Sequence, residues 1–86
     1  MSESESARQA RGLAPTVMGI LSDGEWHDGS EIKARILGEG VRTGTLLVAR
    51  CLDIMHYDLK EIGRAEVRDA EGLLVGFRYR LKGAGE

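Results

Sequence analysis

The stretch from Thr43 to Lys60, TGTLLVARCLDIMHYDLK, constrains this chain more than any other. Val48, Leu52, Met55 and Leu59 recur at the four- and three-residue steps of an α-helix, which makes one side of a long helix apolar. Leu47, Cys51 and Ile54 flank that stripe. Thr43, Leu46, Arg50, Asp53 and Tyr57 fall on the other side. A helix divided in this way packs one face inward and presents the other. Periodicity alone is equally consistent with an ordinary surface helix of a small α+β domain, so the neighbouring segments decide what it is.

Downstream, Gly63 ends the helical pattern and a period of two takes over. Arg64, Glu66 and Arg68 alternate with Ala65 and Val67. Asp69-Ala70-Glu71-Gly72 is a turn by composition. Beyond it Leu73, Val75, Phe77, Tyr79 and Leu81 alternate with Leu74, Gly76, Arg78, Arg80 and Lys82. The pattern is that of a β-hairpin with one buried and one solvated face. Upstream, Pro15 suits a first helical turn because it has no amide donor to lose. Val17, Ile20 and Leu21 supply the apolar face of a first helix over 15–21, and residues 7–14 either extend it or form a separate turn before it. Ser22-Asp23-Gly24 turns the chain, and Glu25-Trp26-His27 has room for one short strand. Asp28 and Glu31 have the spacing of a capping box, opening a second helix over 29–37 whose inward side is Ile32, Ile36 and Leu37. Gly38 stands where a helix stops in the left-handed conformation, and Thr43 is placed to cap the third helix, 44–60.

Met1 to Ser6 alternates Ser and Glu with nothing to bury, so 1–6 reads as a disordered tail, 7–82 as one domain, and 83–86 as a second short tail. With 86 residues the core is small and stability modest. One cysteine, Cys51, excludes an internal disulfide and reads as a small buried hydrophobe. The chain has no apolar run of membrane-spanning length and no secretory signal pattern at its start, which points to the cytoplasm. Net charge is −2, but its distribution is uneven. Residues 1–41 hold four Lys/Arg against seven Asp/Glu, while residues 42–86 hold eight against seven.

The segment Ile20-Leu21-Ser22-Asp23-Gly24-Glu25-Trp26-His27-Asp28-Gly29-Ser30-Glu31-Ile32 resembles the opening of bacterial winged helix-turn-helix domains of the biotin-operon-repressor type. There, a helix ending in I-L-x-D-G is followed by a short strand and a second helix that begins near H-S-G-E-x-L. The likeness spans roughly residues 13–82. It implies an α+β fold of three helices, a short strand and a carboxy-terminal hairpin wing. It also implies a transcriptional regulator or architectural factor, bacterial or phage, that binds double-stranded DNA through helix 44–60. That helix carries about two more residues before its main apolar positions than the commonest pattern, which shifts its register on DNA.

The candidate contacts follow from where side chains near a helix amino end reach in a major groove. On the helix they are Arg42, Thr43, Thr45, Leu46 and Arg50, with Asp53 at the margin. Arg50 is suited to guanine or phosphate, Leu46 to a thymine methyl, and Thr43 and Thr45 to phosphate beside the helix dipole. On the hairpin, alternation predicts one solvated face bearing Arg64, Arg68, Arg78, Arg80 and Lys82 with only Glu66 among them, a self-repelling set suited to a polyanion. The acidic turn at Asp69 and Glu71 places phosphate contact on the strands rather than the tip. Symmetric sites call for a homodimer on DNA, and a monomer that pairs on its site meets that need. The rival reading is a domain used for protein contact through outward Leu46 and Tyr57, which negative net charge also suits. His27, His56 and Cys51 have no metal-ligand spacing, and no catalytic triad, phosphate loop or carboxylate pair is present, so no metal, cofactor or enzyme activity is expected.

Overall fold

The computed structural model describes residues 4–83. The chain begins with two abutting helices, α1 (Glu5–Gly12) and α2 (Ala14–Ile20), and a single 3-10 turn over Leu21–Asp23. Pro15 accounts for the break between them. It cannot donate to the carbonyl of Arg11, and its ring clashes with that carbonyl if the helix runs straight through. Leu13 instead donates to Ala10 at 3.1 Å, one residue short of the α pattern. The helix therefore starts well before Pro15, and Ser4 caps it through a side-chain bond to the amide of Ala7. Of the expected tail, Glu5 and Ser6 are helical, while residues 1–3, like 84–86 at the other end, lie outside the described residues.

Strand β1 is two residues, His27–Asp28, and runs directly into α3 (Gly29–Gly38). The capping box is not formed. Asp28 occupies the cap position but makes no cap bond, and Glu31 turns to His27 instead. Nor does Gly38 adopt the left-handed conformation; the stop comes two residues later at Gly40, with φ 83°. Helix α4 (Thr45–Asp53) passes into a π-helical turn, Ile54–Asp58, and Lys60 then takes a left-handed φ of 56°. The single expected helix 44–60 is thus an α-helix with a π-helical end. That widening rotates Leu59 out of the stripe, leaving it 40% exposed while Val48, Leu52 and Met55 are buried.

Strands β2 (Ile62–Arg68) and β3 (Leu74–Leu81) form the expected hairpin, and β1 pairs with the far side of β3, giving an antiparallel sheet ordered β1-β3-β2. The α+β architecture expected from the pattern is present. Its core joins Leu13, Val17 and Leu21 to Ile32 and Ile36 of α3, then to Val48, Cys51, Leu52 and Met55 of the α4 region, and finally to Ile62 and Tyr79 of the sheet. Leu37 departs from expectation: it was placed inward and is 47% exposed. Burying that core is the main stabilising term at roughly 25 cal/mol per Å² of apolar surface.

Candidate nucleic-acid interface

The geometry of α4 begins at the turn before it. Gly40 in the left-handed region reverses the chain after α3, and Gly44 enters α4 fully extended at φ −139° and ψ 169°. Thr43 was expected to cap α4, but Gly44 holds the cap position and no side chain among the described residues bonds the first-turn amides. Those amides are the positive end of the helix dipole and are open to an acceptor from outside. Thr43 Oγ1 is instead buried, with no partner among the described residues. Beside the same end, Lys33 Nζ of α3 donates to Thr45 Oγ1 at 2.9 Å, and Arg42 is exposed on the turn. Lys33 did not stand out in the sequence; its helical phase, one residue past buried Ile32, was the only signal.

Along the outward side of α4, Leu46 is 87% exposed, and Ala49, Arg50 and Asp53 are exposed with it. Arg50 is not free on that face. Its Nη1 donates to Ser6 Oγ of α1 at 3.2 Å, so the first turn of α1 lies along one flank of the presented surface.

The hairpin corrects the largest electrostatic expectation. In the observed register Arg64 stands opposite Tyr79 and Glu66 opposite Phe77, while Ala65 is opposite Arg78 and Gly63 opposite Arg80. Directly opposed residues share a face. Arg64 therefore lies on the face of Phe77 and Tyr79, and Arg78 and Arg80 lie on the other. The five cations do not form one strip. The cause is Ile62, just before the expected start of the strand. It is 2% exposed, and burying it sets the phase of every residue after it.

Each of those arginines has a partner. Arg64 donates to the hydroxyl of Tyr57, reaches Asp53 at 3.7 Å, and lies over the rings of Phe77 at 4.4 Å and Tyr57 at 5.1 Å. Arg68 bonds Glu66 and the carbonyl of Gly72. Arg78 pairs with Asp28 at 3.2 Å, and Arg80 covers the ring of Trp26 at 4.6 Å. Trp26 thus stands on the outer sheet face rather than over the core edge, 38% exposed. Lys82 is exposed, and its backbone amide bonds Glu61.

Two further groups bear on chemistry. His27 is buried with Nε2 facing the Asp23 carboxylate at 2.9 Å and Nδ1 bonded to Glu31, so it clasps the turn after α2 to the start of α3. The Asp23 hydrogen bond holds its pKa above the ordinary histidine value; burial opposes this and Glu31 adds to it. Burial pushes the Cys51 thiol up to about 11, which leaves no thiolate near neutrality. Among the described residues no cluster of His, Cys, Asp and Glu is arranged to hold a metal, and no helix is long and apolar enough to cross a membrane. Compared with known proteins, the chain matches no family model, and neither a curated protein nor a solved structure shows significant similarity to it.

Proposed function

We propose that the chain is a winged helix-turn-helix domain that binds duplex DNA, with α3, the Gly40 turn and α4 as the helix-turn-helix and the β2–β3 hairpin as the wing. The observation that carries this reading is the amino end of α4. Its amides have no side-chain cap among the described residues, Lys33 and Arg42 flank it, and it leads into the face on which Leu46 is 87% exposed. A phosphate fits that end, and Thr45, Leu46 and Arg50 then face base edges. Arg64, Arg68, Arg78 and Arg80 are assigned to the fold rather than to DNA, because their partners lie within the domain.

The test is a salt titration of binding to random duplexes by fluorescence anisotropy. Arg42→Ala is expected to weaken all sequences alike and to flatten the salt slope by about one unit, whereas Arg50→Ala costs about 1–3 kcal/mol and blurs preference at one position. Wild-type protein that binds no duplex even at low ionic strength refutes the proposal. The second reading, a domain for protein contact, is favoured by one observation: Leu46 and Tyr57 are 87% and 55% exposed on the α4 side of the molecule. Tyr57→Ala separates the two, since Tyr57 is outside the DNA-facing set: it abolishes a protein complex formed there and leaves duplex binding in place.

A further inference from the structure

Helices α3 and α4 and the hairpin do not close on one another. Between them lies an open groove of about 760 Å³, whose walls include Leu37 of α3, Leu52 of α4 and Val67, Val75 and Phe77 of the hairpin. Space of this order suits a small molecule. Leu37 and Val75, on its walls, are 47% and 62% exposed. That apolar surface has no part in the core and none in the DNA reading. Ala34 of α3 and Ala49 of α4 also line the groove, and their short side chains keep it open. Its polar groups gather where α3 meets the start of α4. Lys33 lies there beside Thr45, and its Nζ donates to Thr45 Oγ1 at 2.9 Å. Thr45 accepts in that bond, so its own hydroxyl proton is free to donate. Lys33 pairs with no carboxylate among the described residues. Asp28, the acidic residue on the groove's lining, is held instead by Arg78 at 3.2 Å.

We propose that this groove binds a small hydrophobic carboxylate, its head on Lys33 and Thr45 and its apolar body between Leu37, Val75 and Phe77, and that the bound molecule competes with DNA for Lys33. The apolar walls select the body, because its burial removes their exposed surface from water along with its own. The head is a monoanion, because one lysine balances one charge. A dianion such as a phosphate monoester buries its second charge unpaired against apolar side chains. Aliphatic and aromatic bodies share this chemistry. With its head on Lys33, the carboxylate removes one phosphate contact from the start of α4, and by linkage DNA and carboxylate weaken each other by the same factor. The competition rests on the DNA reading; the groove's own affinity does not.

The experiment is calorimetric titration of the full chain, without DNA, with octanoate, naphthoate, the matching alcohols and acetate. At least one of the two hydrophobic carboxylates is expected to bind. Its alcohol and acetate are expected to bind at least about tenfold more weakly, since one lacks the charge and the other the apolar body. Lys33→Met keeps a long side chain without the charge and is expected to erase the preference for carboxylate over alcohol. Ala34→Leu, at an exposed helical position, fills the groove and is expected to abolish binding. Circular dichroism melting of each variant separates a lost site from a lost fold. In duplex titrations, the binding carboxylate at saturation is expected to flatten the wild-type salt slope by about one unit and to leave that of Ala34→Leu unchanged. No binding by either carboxylate, wild-type affinity in Ala34→Leu, or a preference that survives Lys33→Met overturns the groove site. Duplex binding indifferent to saturating carboxylate overturns the competition. Wild type that binds no duplex refutes the DNA reading instead, and the calorimetry then decides the groove alone.

Discussion

Replacing Arg64 with alanine separates a residue that builds the fold from one that meets a ligand. Its side chain is 22% exposed and joins the hairpin to the π-helical turn. The guanidinium lies over two rings, at 4.4 Å from Phe77 and 5.1 Å from Tyr57, and such contacts are worth about 0.5–1 kcal/mol each when partly exposed. The bond to the Tyr57 hydroxyl adds about 1 kcal/mol. Asp53, 3.7 Å away and 57% exposed, adds no more than about 0.5 kcal/mol against water. These contacts share one side chain and do not sum, so the loss is about 2 kcal/mol. For a domain of this length that lowers the melting temperature by about 10 °C. The assay pairs thermal melting by circular dichroism with the salt slope of duplex binding. Arg64→Ala is expected to lower the melting point and leave the slope unchanged. A variant that melts within about 2 °C of wild type yet loses about one unit of slope refutes the assignment and returns Arg64 to the DNA surface.

Leu52→Ala is expected to cost about 2–3 kcal/mol, at the low end for a buried leucine, because Leu52 borders the open groove and the vacated space can be hydrated; Ile36→Ala, fully enclosed, is expected to cost about 4 kcal/mol in the same denaturant titration. The His27 clasp predicts a direction with pH. A raised folded-state pKa contributes stability that is complete below the unfolded value of 6.5 and lost as pH rises through the folded value, so chemical stability should fall from neutral pH upward, and His27→Gln should remove that decline. Asp23, whose pKa is lowered chiefly by its bond to His27, contributes in the opposite window, losing stability as pH falls below 3.8. Lys60→Gly should raise stability by roughly 1 kcal/mol, because glycine adopts the left-handed φ of 56° without a Cβ penalty; a lower melting temperature would contradict it.

The elements were legible where one strong periodicity ruled. The stripe of Val48, Leu52 and Met55 recovered its helix, because burial of several residues in one phase outweighs any local preference; the alternation after Leu73 recovered the hairpin but not its buried face, since only Tyr79 of that row is buried while Leu73 and Val75 are each 62% exposed. What escaped was set by single residues. Ile62 fixed the strand phase from just outside the expected strand, and a shift of one residue moves every side chain to the opposite face. The capping box failed because the buried imidazole of His27 demanded a carboxylate more than the exposed amide of Asp28 did, and Asp28 found Arg78 fifty residues away. Partners at that separation leave no local trace. For the same reason the hairpin cations looked free: each counterpart (Asp53, Tyr57, Asp28 or Trp26) lies on another element, apart from the Glu66 that Arg68 holds.

That bookkeeping of cations bears on how such a domain could hold DNA. Around the start of α4, setting aside the arginines occupied within the fold leaves Arg42, Lys33 and the helix amino end, about three phosphate contacts per copy and a salt slope of about −3. Arg50 joins them only by releasing Ser6. Three contacts suit weak, transient binding by a single copy. Two copies seated side by side on one site double the contacts without adding a charged residue, and any contact between them lets the second bind at the high effective concentration set by the first. The DNA reading therefore predicts a salt slope that depends on duplex length. On a duplex long enough for two copies, wild type should show a slope of about −5 to −6, and on one long enough for a single copy a slope of about −3. A slope near −3 on both duplexes would mean that a single copy occupies the site. That result would refute pairing of copies on DNA and leave the monomer as the binding unit.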